Sequence, residues 1–516
     1  MRILLFSMPD SFEHTPALTM RMPNGALASL AGNVGPGHDV AIADLILVQD
    51  RVVPTVERLM KERDPDVVGL SIMTFQRRTA LRLTRLIRSI KPAVTIVAGG
   101  YDPSLAPEAY DDPASEIDFI VRSEGELTLR ALVQALGRGE SPDSIEGLSF
   151  RGPTGAFVHT PQRPVSRLKD GELALPNRSA RVLSGYTFLG RPIDIVETSR
   201  GCTYDCSFCS IIEMRGRNFH TFDFTRVLAD IADARAHGAR AIFLVDDNIT
   251  LNVARFEALC HAIVEAGFYD THYIVQAMTS SIAAHGDTLA PLMRRAGFRY
   301  VFLGIENVLE EDLQFLRASA KNAQREGGRR TGNATLTAIQ KLHAHGLAVV
   351  GGIIVGNPDD TRASIEANLE FARRHVDWPY IQHPTPYPGT PMTQDFRDRD
   401  LIVNHRVEEY DGTTAVVKTA HLEAEEVEFL RWRAERWMKV RHLPSVLWHY
   451  PRFVMRNAPK MCRHTFRGST WRSAIGLESE REVFRRYKQI RAAEREYTGP
   501  LELSRRADNR EVPAST

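Results

Sequence analysis

The chain has 516 residues, 43% hydrophobic and 25% charged, with 65 Lys and Arg against 64 Asp and Glu and a net charge of +1. That length predicts two to four domains at about 100–200 residues each. The composition excludes a disordered or fibrous chain, and the charge balance excludes a global field that would gather nucleic acid.

The start, MRILLFSMPD, runs straight into a short apolar strand and lacks the long apolar stretch of a secretory signal. No run of about 18 uncharged apolar residues predicts a membrane span. Of five cysteines, three fall at 202, 206 and 209, and Cys260 and Cys462 stand alone. A disulfide framework spreads its cysteines; a tight triplet points to a metal site in a reducing compartment, here the cytoplasm.

Over 1–147, short β-branched or apolar stretches at 2–7, 39–44, 67–74, 94–99 and 118–122 alternate with helical patterns such as 54–63 and 77–90. Nearly continuous apolar strands between helices predict a parallel sheet covered on both faces. Five strands suit the doubly wound, flavodoxin-like order, whose ligands lie beyond the C-terminal strand ends. Residues 148–192 carry Gly, Pro and weak strand signals, which read as a linker with a small hairpin. Over 193–398 the alternation returns, with strands at 193–198, 241–245, 273–277, 300–304, 349–355 and 380–384. Helices are predicted at 225–237, 253–266, 289–296 and 334–345. Six such units predict a partial (β/α)6 barrel with its chemistry at the C-terminal strand ends. Residues 399–516 form a helical region, with a charged helix over 478–496 and a polar, disordered last 15 or so residues.

The triplet reads Glu197-Thr198-Ser199-Arg200-Gly201-Cys202-Thr203-Tyr204-Asp205-Cys206-Ser207-Phe208-Cys209, directly after the first barrel strand. Thiolates are the ligands of iron–sulfur clusters. Three of them on a [4Fe–4S] core leave one iron open to chelate a small molecule. Gly201 lets the loop bend, and Arg200 can offset the cluster's charge. A structural zinc site is the alternative, but it wants a fourth ligand at knuckle spacing, and the nearest candidate is His220.

The triplet, with Phe208 before its last cysteine, resembles the radical S-adenosylmethionine superfamily. That resemblance implies a [4Fe–4S] cluster on Cys202, Cys206 and Cys209, with S-adenosylmethionine on the open iron as the source of a 5′-deoxyadenosyl radical. It extends along the barrel. Asp246 and Asp247 stand where the family binds the methionine amino group. Glu306, in Gly304-Ile305-Glu306-Asn307, matches the acidic group near the ribose. Gly352 and Gly356 match the fifth-strand glycine motif, and 386–391 resembles the P-x-P-G-T-P of the sixth. Where many relatives carry an Arg on the third strand, this chain has Met278-Thr279-Ser280-Ser281.

A doubly wound domain ahead of such a barrel resembles the cobalamin-binding domain. The resemblance implies contacts from the loops after three strands: Ser71 and Thr74, Gly99 and Gly100, and Glu124, Gly125 and Glu126. The stretch after the first strand is not the D-x-H-x-x-G loop that brings a histidine to cobalt; His14 is expected to be a loop histidine.

The whole resembles a cobalamin-dependent radical enzyme. A methyltransferase acting on an unactivated carbon is the first reading, and a cyclase or oxidative enzyme of the tetrapyrrole-cyclase type the second. A cobalamin-responsive binding protein is a third, disfavoured by the intact cysteines. A tRNA-modifying methylthiotransferase would be expected to carry a further cysteine-bearing cluster domain. Expected partners are a small-molecule substrate on a lipid, tetrapyrrole or natural-product scaffold, and an electron donor such as flavodoxin or ferredoxin.

Four of the five tryptophans, Trp432, Trp437, Trp448 and Trp471, lie among many arginines near the C-terminus. That mixture admits a helical cap on the barrel, a membrane-surface contact peripheral to a cytoplasmic protein, or a nucleic-acid contact, the last being the least expected. Pro444, Pro451 and Pro459 argue against one long amphipathic helix.

Overall fold

A computed structural model describes residues 1–12, 19–168 and 171–495. His14 and the polar tail from 496 onward lie outside the described residues.

The first sheet is built on β1 (Arg2–Ser7), β2 (Asp39–Asp44), β3 (Val67–Ser71), β4 (Thr95–Gly99) and β5 (Phe119–Val121), which run parallel in the spatial order β2-β1-β3-β4-β5. That is the expected flavodoxin-like order. β1 shows why the strand is legible in sequence: Leu4 and Phe6 enter the core on one face, and Ile3 and Leu5 enter the core on the other. This is the two-residue period of a strand buried on both sides. β6 (Leu148–Arg151) then adds antiparallel to β5, and β7 (Phe157–His159) antiparallel to β6 at the sheet edge. The hairpin expected in a linker therefore extends the first sheet, because Phe150 and Phe157 have cores to join there.

The second sheet holds β8 (Arg191–Val196), β9 (Ala241–Leu244), β10 (His272–Met278), β11 (Phe298–Glu306), β12 (Ala348–Ile354) and β13 (Trp378–Gln382), parallel and adjacent in chain order. It is an open, curled half-barrel, with its largest apolar core under the covering helices. Thr187–Phe188 extends its β8 edge antiparallel, and Met20–Arg21, a segment from the first 150 residues, pairs with Thr187–Phe188. The helix expected over 289–296 instead runs Thr279–Arg295 through Pro291. Gly286 lies within it against helix Thr335–Ala344, where an added Cβ would come within 3.0 Å of Lys341.

The C-terminal region is helical: Ala424–His449, Pro451–Thr465 and Glu480–Glu494. Pro444 and Pro459 lie inside helices, both exposed, where water can meet the freed carbonyls; Pro451 opens a helix, where its missing N–H costs nothing. Trp432 packs on Phe484 (ring centroids 5.2 Å apart) and Tyr487 (5.8 Å), joining the first and last of these helices. Phe453 and Val454 of the middle helix close the bottom of the half-barrel with Phe188, Ile193, Ala241, Ile274 and Tyr300.

Candidate cofactor site at the barrel mouth

The cysteine loop leaves the top of β8 and is held from several sides. Asp246, just beyond β9, accepts from the backbone N–H of Thr198 (2.7 Å) and from the hydroxyls of Thr198 and Ser199 (2.6 Å for the latter). Its burial pushes its carboxyl up to about 6. Asp247 accepts from the N–H of Gly201 (2.7 Å) and lies 3.5 Å from Arg215. The adjacent carboxylates thus fasten the loop. Gly201 has φ +90°, and an added Cβ would sit 2.5 Å from the backbone oxygen of Asn218, so glycine is required by the fold of the loop itself. Further along, Ser207 donates to the Leu316 and Phe315 carbonyls (both 3.0 Å), and its own carbonyl accepts from the N–H of Met392 (2.9 Å), at the start of the helix after the sixth-strand motif.

Around Cys206 the walls are apolar: Leu313, Leu316, Ile354, Met392 and Phe396, with Phe208 and Tyr387 partly buried beside them. Burial pushes the Cys206 thiol up to about 11 and the Cys209 thiol to about 12, with the charge of Lys321 opposing this at both. Unliganded, these thiols are neutral at pH 7. A cationic iron core that takes their negative charge is the chemistry they suit. Lys321 is largely but not fully buried, its side chain 16% exposed, hydrogen-bonded to Glu306 (2.7 Å), and 5.9 Å over the Phe208 ring. Its own ionisation is driven up by Glu306, Cys206 and Cys209 against the cost of burial. Glu306 takes φ +59° at a register shift in the β11–β12 ladder, which turns its side chain to Lys321. The sequence reading missed Lys321, which follows a short helix with no pattern to mark it.

Arg200, expected to face the cluster, points the other way. It is 6% exposed and pairs with Glu197 and Glu126 (both 2.7 Å) and with Glu124 (3.5 Å). Burial works against the charge on Glu126, yet Arg200 and the Ser29 hydroxyl bring its carboxyl down to about 2. Arg200 therefore joins the barrel to the loop after β5 of the first sheet.

At this seam lies a cavity of about 290 Å³. Its walls include Ser71, Gly99, Gly100, Glu124, Gly125 and Glu126 from the first sheet, and Glu197, Arg200, Met214, Arg215 and Val245 from the barrel side. It continues along the sheet face past Leu5, Gly69 and Val97, between helices Gly25–Asn33 and Glu126–Arg138. Of the expected loop residues, Thr74 is buried in a single turn at 74–76 and is not part of this wall. Gly100 has φ +103°, and an added Cβ would lie 2.7–2.9 Å from the backbone of Ile72; glycine is needed there for the two loops to pack. Gly352 meets the Phe302 ring inside the barrel and Gly356 meets Val427, each within 3.0 Å of an added Cβ. Tyr101, in the expected loop after β4, also lines the cavity, as do Arg215 and Asn24, which were not read from sequence. The Arg215 Nε is buried there without a hydrogen-bond partner, a polar atom that an acceptor on a bound group would satisfy.

A parallel flavodoxin-like sheet facing a half-barrel whose first loop carries three cysteines defines a two-cofactor radical enzyme. Comparison with known proteins agrees. Residues 18–133 match the B12 binding domain and residues 196–372 the radical SAM superfamily. The chain thus carries a B12-binding domain ahead of a radical S-adenosylmethionine domain.

Among its relatives is an uncharacterised methyltransferase of Pyrococcus horikoshii, 29% identical over 84% of this chain and 91% of that protein. Another is the anaerobic magnesium-protoporphyrin IX monomethyl ester cyclase of Rubrivivax gelatinosus, 25% identical over 88% of this chain and 78% of that one. The fold is similar to that of the radical S-adenosylmethionine methyltransferase TsrM from Kitasatospora setae, solved with cobalamin and a [4Fe-4S] cluster bound. That match has a TM-score of 0.63 and 19% identity over 78% of this chain and 79% of that one.

Proposed function

We propose that this enzyme transfers a methyl group to an unactivated carbon of a small molecule, using a [4Fe–4S] cluster, S-adenosylmethionine and cobalamin. The observation that carries the reading is the shared cavity: the strand-end loops of the first sheet and the flank of the cysteine loop line one space. When bound, these groups supply a carbon-centred radical and a transferable methyl group.

The chain's residues do the rest. Cys202, Cys206 and Cys209 hold the cluster, and Lys321 compensates the thiolate charge in an apolar pocket. Phe208, Asp247, Glu306 and Gly352 border the S-adenosylmethionine bed, while Asp246 and Gly356 act by fixing the loops they pack in. Ser71, Gly99, Gly100, Glu124, Gly125 and Glu126 form the cobalamin bed with Arg215, and Thr74 supports it from behind. We count the hairpin at 148–159 with the cobalamin-binding unit. A one-electron donor of the flavodoxin or ferredoxin type would serve the cluster in the cytoplasm, and the C-terminal region would touch a membrane from one side. Among the described residues no helix is long and apolar enough to cross one.

Two relatives point to different outcomes, a methyltransferase and a cyclase. Methyl transfer should give S-adenosylhomocysteine beside 5′-deoxyadenosine, and label should pass from the S-methyl group to product. Deoxyadenosine with the native substrate but no S-adenosylhomocysteine would favour the cyclase or oxidative reading. Reconstituted wild type should bind about four irons. Cys206→Ala should lose them and stop deoxyadenosine formation; undiminished iron in that variant refutes the ligand assignment.

A further inference from the structure

We infer that the two helices at 424–465 and the turn that follows them form a docking surface for an anionic lipid bilayer. Residues 436–477 contain nine Arg and Lys and no Asp or Glu, in a chain whose charges as a whole nearly cancel. Six of these cations, Arg441, Arg452, Arg456, Lys460, Arg463 and Arg472, are exposed and form no ion pair among the described residues. They sit among apolar side chains that face water: Trp448 is 84% exposed, Trp471 71%, Met455 68%, Ile475 62% and Leu477 61%.

The pattern is two-sided. On helix Pro451–Thr465, Phe453 and Val454 face the barrel floor, while Arg452, Arg456 and Arg463 stand at i, i+4 and i+11 on the opposite side, flanking Met455. On helix Ala424–His449, Val446 packs toward the floor, and Leu443, Leu447 and Trp448 turn outward with Arg441. The Trp471 turn is tied to the same helix where Arg436 donates to Ser469 (2.6 Å) and Trp437 to Glu480 (3.3 Å).

Exposed tryptophan with aliphatic side chains among unpaired cations matches an interface with lipid headgroups, the rings at the polar boundary and the cations toward anionic lipid. A second copy of the chain would set this unrelieved positive charge against itself. A nucleic acid would satisfy the cations and leave Leu443, Leu447, Ile475 and Leu477 without use.

The test is flotation of the reconstituted holoenzyme with vesicles of phosphatidylcholine alone and of phosphatidylcholine with about one third phosphatidylglycerol. Binding is expected only to the anionic vesicles, with release as salt rises from about 0.05 to 0.5 M. Replacing Arg452, Arg456 and Arg463 by Ser together should weaken it about a hundredfold. Replacing Leu447, Trp448 and Met455 by Ser should weaken it at least about tenfold. All six sites are exposed, so iron content and the thermal transition should not change. Equal binding to both vesicles, binding insensitive to salt, or an unchanged arginine variant would overturn the inference. So would displacement from the vesicles by a duplex oligonucleotide that binds more tightly.

Discussion

The two ends of the half-barrel are built from the same six strands on opposite terms. At the mouth, charges are buried and each is answered by name: Arg200 by Glu126, Glu197 and Glu124, Lys321 by Glu306, and Asp246 by Thr198 and Ser199. At the floor the side chains are apolar and aromatic, and a helix from the far end of the chain closes them off. Buried ion pairs seldom stabilise a fold more than apolar packing would. A further buried network, Arg178 and Arg181 with Asp194 and Asp230, lies lower on β8. The pairs around the cysteine loop mark where the protein gives up stability for chemistry, and the apolar floor is where it is recovered. The comparison breaks if mouth substitutions prove merely structural or floor substitutions alter the chemistry of the folded enzyme.

The largest expected effect is at Lys321. Lys321→Met leaves Glu306 buried and unpaired, which should cost about 3–5 kcal/mol. It also removes the cation beside Cys206 and Cys209, so turnover should fall on the order of a hundredfold. Adding Glu306→Gln should return most of the stability without the activity. Recovery of both in the double variant would make the pair structural only.

At the floor, Phe453→Ala should cost about 3–5 kcal/mol, as for other buried Phe truncations. The rate per folded, cluster-loaded enzyme should hold near wild type. Denaturant melts paired with deoxyadenosine assays measure both; a rate loss exceeding the loss of folded protein would mean that the floor shapes the site.

Between the two ends lies the seam. Glu126 has a folded value of about 2 against an ordinary 4.5. A depressed carboxylate stabilises the fold above its unfolded value, so this contribution is complete above pH 4.5 and is lost as pH falls toward 2. Its size is about 3 kcal/mol from a shift of this magnitude. Urea melts of wild type should lose stability over that window, and Glu126→Gln should be less stable at pH 7 with a shallower acid slope. Identical slopes in the two proteins would remove Arg200–Glu126 as the tie between the sheets.

Strands were legible because both sheets bury both faces: the expected 2–7 and 39–44 match β1 and β2 at each end. The cysteine triplet was legible because its ligands are close in sequence. What escaped was contact between distant segments. Arg200 is two residues from Cys202 yet serves the first sheet, whereas Lys321, more than a hundred residues on, serves the cysteines. The Asp246–Asp247 pair was found as a motif, but its work, holding Thr198, Ser199 and Gly201, depends on how the tops of β8 and β9 meet. Helix Thr279–Arg295 begins ten residues before the expected 289, so Gly286 was left outside it, and only packing against helix Thr335–Ala344 explains a glycine there.

The smallest effect should come from Cys260, the cysteine that the comparison assigns to neither end. It is fully buried in helix Val253–Glu265 beside Leu259 and Ile263, in the core under the half-barrel, and burial drives its thiol well above the ordinary range. A thiol held neutral in an apolar core is a small packing group rather than a ligand. Cys260→Ser keeps the size but buries a stronger polar group, whose hydroxyl can turn to the helix carbonyl four residues back. The cost should be about 1 kcal/mol, a shift of a few degrees at most in the thermal transition of a protein this large. Iron content and deoxyadenosine yield should equal wild type. A fall in iron on Cys260→Ser, with the fold otherwise intact by circular dichroism, would extend the metal chemistry beyond the mouth and end the division of labour argued for the barrel.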